Sequence, residues 1–149
     1  MSTYTETISE KLNDLLEKTY DAEKGYKKAY NNTDNPFLKS FFDKKSTERN
    51  NFGTELKSEI TNFGQKWEKD GSVTGALHRT WMDVRSLFST KDDEAMLEEA
   101  IRGEKASVQE YSEVLADTSL PPSTVTILTQ QMNQIQADLN QVKRLEDLN

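Results

Sequence analysis

The apolar positions at the start of this chain advance by four and three residues. Ile8, Leu12, Leu15, Thr19, Ala22, Tyr26 and Ala29 draw a single seam along a helix expected from about Ser2 to Asn31. A strand would alternate with period two, so this stretch is committed to helix. The run Asn31-Asn32-Thr33-Asp34-Asn35-Pro36 then stops it, because these side chains favour turns and caps. Pro36 suits the first position of a following helix, where its missing N–H would have had no partner. A loop this short makes the two helices antiparallel neighbours.

The same spacing continues along the chain. A second helix is expected from about Pro36 to Phe63, carrying Phe37, Leu38, Phe41, Phe42, Phe52, Leu56, Ile60 and Phe63, with Gly64 as its stop. Residues 65–91 read as a crossover with a short extra helix through Leu77, Trp81, Val84 and Phe88. A third long helix is expected from about Asp92 to Asp117, with Thr90 as cap and Asp92, Asp93 and Glu94 placed against the N-terminal dipole. Its stripe is Leu97, Ala100, Ile101, Val108, Tyr111 and Leu115. After the turn Leu120-Pro121-Pro122-Ser123, a fourth helix runs through Leu128, Met132, Ile135, Leu139 and Val142. The expected fold is all-α, a four-helix bundle of two hairpins joined by a long crossover, in one domain over residues 1–149.

Charge and composition narrow the chemistry. A formal net charge of −7 repels nucleic-acid phosphates and anionic membrane surfaces, leaving cations as the favoured charged partners. Absence of cysteine excludes disulfides, thiolate metal sites and thiol catalysis. The opening residues show no basic-then-apolar signal and no apolar run approaches a membrane span, so a cytoplasmic protein is the expectation.

Against this background Glu23, Glu48 and Glu104 stand out. Projection at about 100° per residue puts Glu23 and Glu104 inside their apolar stripes, with Glu48 and Gln131 at the stripe edges. Across the two hairpins the four fall at similar heights, so polar groups converge on one core layer. Buried carboxylates crowded this way repel each other and lose hydration, and need protons, a basic partner or a metal cation. Lys45 on the inner face of the second helix and the hydroxyls of Tyr26 and Tyr111 could serve without metal. Alternatively, Glu and amide oxygens would suit a hard divalent cation such as Mn, Ca or Mg better than Fe.

In order, these residues give E…ExxN…E…QxxQ, which resembles the E…ExxH…E…ExxH pattern of di-iron helical bundles with both histidines missing. Four segments extend the likeness over nearly the whole chain: LNDLLEKTYDAEKGYKKA, NPFLKSFFDKKSTERNNF, GSVTGALHRTWMDVRS and AIRGEKASVQEY. They resemble the ferritin-like superfamily and, more closely, an uncharacterised bacterial ferritin-like family, domain of unknown function 2383. The resemblance implies Glu23, Glu48 and Glu104 as metal-facing positions, with Gln131 in place of a glutamate and Asn51 and Gln134 in place of histidines. It also implies a stress-type role. With imidazoles absent from those positions, oxygen activation is not the expected chemistry, and a non-enzymatic binding protein is.

The crossover supplies a separate candidate. Trp67, Trp81, Met82, Leu87 and Phe88 concentrate large apolar side chains on a short segment, which either caps the bundle or forms a surface for a partner or a second copy. His78 is the only histidine, so a histidine metal site or a Ser-His-Asp triad lacks material. No glycine spacing matches a phosphate loop.

Overall fold

The structure is a computed structural model that describes residues 3–65 and 93–142. Four helices make up these residues, with no strand among them: α1 (Tyr4–Asn32), α2 (Pro36–Asn62), α3 (Asp93–Leu115) and α4 (Pro122–Gln141). The segment expected to carry a short crossover helix, with Trp67, His78, Trp81, Met82, Leu87, Phe88 and the expected cap Thr90, lies outside the described residues.

Local chemistry accounts for the helix ends. Thr3 caps α1 by accepting the Glu6 N–H at 3.1 Å. Asn35 caps α2 by accepting the N–H groups of Phe37 (2.9 Å) and Leu38 (3.1 Å), and Pro36 occupies the first turn. At the other end of α2, Gly64 takes φ +74°, where an L side chain would be strained. That conformation lets the N–H groups of Gly64 and Gln65 return to the carbonyls of Thr61 and Ile60, which satisfies the last turn.

Side-chain contacts define the topology. Lys39 reaches Tyr30, and Asn50 reaches Glu23, so α1 and α2 are antiparallel. Tyr26 meets Glu104, Lys18 meets Glu110 and Lys11 meets Asp117, so α1 and α3 are antiparallel as well. Lys45 to Asp138 and Glu59 to Thr124 set α4 antiparallel to α2. Consequently α2 and α3 run in the same direction, and the chain leaves α2 at one end of the molecule and enters α3 at the other. This is the arrangement that two hairpins and a crossover require.

The core consists of two separate apolar clusters. One holds Ile8, Leu12, Leu15, Leu16, Phe52, Leu56, Ile60, Tyr111, Leu128 and Ile135 among its members, and the other is built on Tyr26, Leu38, Phe42, Met96 and Leu97. Phe37, expected in the α2 stripe, is instead 49% exposed. Phe37 lies in the first turn, two residues after the Asn35 cap, and the inward face there belongs to Leu38. What separates the two clusters is polar.

Candidate functional site

On α2 the inward positions are Leu38, Phe42, Lys45, Arg49, Phe52, Leu56 and Ile60, an unbroken series of steps of three and four. Two of its members are cations. Lys45 and Arg49 are 0% and 1% exposed, so neither side chain reaches water. A buried ammonium or guanidinium is tolerated only when it is paired and hydrogen-bonded.

The other helices supply the partners. Lys45 Nζ lies 2.5 Å from Glu48 Oε2, 3.0 Å from Glu104 Oε2 and 2.7 Å from Asp138 Oδ2. Arg49 Nη2 lies 2.5 Å from Glu104 Oε1, and its guanidinium also faces the Ser107 hydroxyl at 3.4 Å. From α1 the Tyr26 hydroxyl donates to Glu104 Oε1. All four helices therefore meet in one layer centred on Glu104. Two turns further along, the Tyr111 hydroxyl donates to Gln131 Oε1 at 2.6 Å, and Gln131 Nε2 donates to the Phe52 carbonyl at 3.3 Å.

Electrostatics follow from this packing. Burial pushes the Glu104 carboxyl upward, but Arg49 and Lys45 outweigh burial and hold it below its usual value. Lys45 loses hydration too, and its three carboxylates, Glu104 foremost, still raise it. Asp138 is held low against its burial by the Lys45 hydrogen bond. Glu48 differs: burial raises it to about 7 despite Lys45, with Asp138 adding to the rise. The layer thus contains two fixed cations, two carboxylates held ionised and a third that titrates near neutrality. With Glu48 protonated the charges balance.

The residues singled out from sequence separate on this geometry. Glu48 and Glu104 belong to the layer, joined through Lys45, and Tyr26 serves Glu104 directly. Gln131 sits in the adjoining layer with Tyr111. Glu23 is buried elsewhere: its carboxylate takes Lys27 Nζ at 2.8 Å and Asn50 Nδ2 at 3.3 Å, in the groove between α1 and α2. Asn51 and Gln134 are both exposed, and Gln134 only brushes the layer by donating to Asp138 Oδ1 at 3.3 Å.

These placements decide how well a carboxylate-bridged metal pair fits. Glu104 Oε1 already accepts Arg49 and Tyr26, while its Oε2 faces Lys45, and Glu23 contributes nothing. A divalent ion at the centre would add positive charge beside two buried cations. The donor set does not fit the group, and among the described residues no cluster of three or more His, Cys, Asp or Glu is arranged to hold a metal.

The family model described as a domain of unknown function, DUF2383, matches residues 7–117, which span α1, α2 and α3. The chain belongs to the DUF2383 family. Among curated proteins nothing matches it. In this DUF2383 chain the matched region contributes Tyr26, Lys45, Glu48, Arg49 and Glu104 to the layer, and only Asp138 comes from beyond it. No helix among the described residues is long and apolar enough to cross a membrane.

Proposed function

We propose that this protein is a non-enzymatic, ferritin-like four-helix bundle of the bacterial kind, serving a binding or stress-type role. In this reading the carboxylate centre of such bundles has been taken over by internal cations. The observation that carries it is the placement of Lys45 and Arg49 against Glu104 at the level where a bridged metal pair would need those oxygens. The parallel course of α2 and α3, which two hairpins joined by a crossover require, supports the bundle assignment.

An ion-paired layer between two apolar clusters does little for net stability, because desolvation consumes much of the Coulomb gain. Its use is specificity. Helices packed through Leu and Phe alone can slide by a turn at small cost, whereas a shift of one turn would leave Arg49 or Glu104 buried without its partner. The layer therefore fixes which faces meet and presents a constant outer surface.

Elemental analysis of protein purified without added metal, followed by calorimetric titration with Mn(II), Ca(II) and Fe(II), tests the reading. The expected result is no stoichiometric metal and no saturable heat at about 1 mM cation. Stoichiometric metal lost on Glu104→Gln would favour the oxygen-rich cation site instead and overturn the proposal.

A further inference from the structure

Between α1 and α2, on the outside of the first hairpin, lies a cavity of about 360 Å³ lined by Glu23, Lys27, Tyr30, Asn31, Asp43, Ser46, Thr47 and Asn50. It is separate from the central layer. At roughly 30 Å³ per water it has room for about twelve water-sized groups, enough for a small organic ligand.

Three observations indicate what would fit. Ser46 is 6% exposed, lines the cavity and makes no hydrogen bond within the described residues, so its hydroxyl stands at the cavity wall, open to solvent and free to meet a ligand. Secondly, the walls already bind ammonium groups. Lys27 Nζ sits 2.8 Å from the Glu23 carboxylate, and Lys39 Nζ stands 4.2 Å from the Tyr30 ring centroid. Lys27 is 62% exposed, so it is a replaceable occupant of a carboxylate that is itself buried. Thirdly, Asp43 adds an exposed carboxylate with no ion pair among the described residues.

We propose that this groove binds a small aliphatic diamine, one ammonium replacing Lys27 on Glu23 and donating to Ser46, the other held by Asp43. The negative net charge of the chain draws such a cation in. A primary ammonium is favoured over a metal ion because Glu23 already accepts a lysine ammonium and an asparagine amide, both hydrogen-bond donors.

Titration of 1,4-diaminobutane into the ¹⁵N-labelled full chain at low salt tests this. Expected are saturable amide shifts confined to Tyr30, Asp43, Ser46 and Asn50, with a Kd of about 1 mM. Asp43→Asn and Ser46→Val should each weaken binding about fivefold, and Lys27→Ala should tighten it by removing the internal competitor. A loss of fold could produce the first pair of effects but not the last. Absence of saturable shifts, shifts centred elsewhere, an unchanged Kd in Lys27→Ala, or equal responses to 1,4-butanediol or Mg(II) would each overturn the proposal.

Discussion

Glu104 on α3 and Glu23 on α1 both lie on the inner stripe of a long helix and both are buried, yet they meet different surroundings. Glu104 receives Arg49 and Lys45 from α2 and Tyr26 from α1, none of which reaches solvent. Glu23 receives a largely exposed lysine one turn along its own helix and an amide from α2, at the edge of an open groove. Helical phase alone sets how deep a carboxylate sits. Whether it becomes a structural anchor or an accessible acceptor depends on the burial of its partners.

The largest expected effect tests the Glu104 side of this comparison. Arg49→Met leaves Glu104 with Lys45 as its one remaining cation in a fully buried layer and should cost about 3–5 kcal/mol in urea denaturation. Lys45→Met should cost less, about 2–3 kcal/mol, because Glu48 and Asp138 lie nearer to solvent and can recover some hydration. A Lys45→Met loss larger than that of Arg49→Met would move the centre of the layer from Glu104 to the α2–α4 seam.

A pH series sharpens the picture inside the layer. Glu48 is raised from 4.5 to about 7 on folding, chiefly by burial, so its protonated form favours the native state. That contribution is complete below the ordinary glutamate range and is lost as pH rises through about 7. Glu104 and Asp138 are held low by Arg49 and Lys45, and theirs is present at neutral pH and lost as pH falls through the carboxylate range. Stability should therefore peak on the acid side of neutrality and fall by about 1–2 kcal/mol toward pH 8. Glu48→Gln should remove that alkaline decline, and a decline that persists in Glu48→Gln would place the titrating group elsewhere.

The smallest effects belong to Glu23. Its lysine partner is mostly exposed, so Lys27→Ala should change stability by about 0.5 kcal/mol or less, and Glu23→Gln, which keeps an acceptor for Asn50, by under about 1 kcal/mol. A Glu23→Gln loss matching that of Arg49→Met would erase the distinction between the two glutamates.

Much of the fold was legible in the sequence, because helix periodicity and capping are local. The first three long helices begin and end within about two residues of the expected bounds, and the fourth begins at the Pro121-Pro122 turn as expected. The layer was half legible. Glu48, Glu104, Lys45 and Tyr26 stand out by position, whereas Arg49 and Asp138 do not in a seam defined by apolar residues alone. The signal was present: the α2 seam has a gap between Phe42 and Phe52 that Lys45 and Arg49 fill at the correct steps, and Asp138 follows Thr124, Leu128, Gln131 and Ile135 in the same way on α4. Glu23 shows the opposite limit. A helix with two neighbours buries a wide face, and phase does not tell which neighbour an edge position will meet. Asn51 and Gln134 were placed by analogy with a ligand spacing, and both turn out to be exposed.

The central claim is that Glu104 is neutralised by Arg49 and Lys45, the chain's own cations. A double-mutant cycle of Arg49→Met and Glu104→Leu, measured by urea denaturation in the presence of a chelator and again with added Mn(II), tests it most directly. The account predicts a coupling of about 2–3 kcal/mol, a double mutant more stable than either single, and the same values with and without metal. Coupling below about 0.5 kcal/mol, or a wild-type stability that depends on Mn(II), would contradict it.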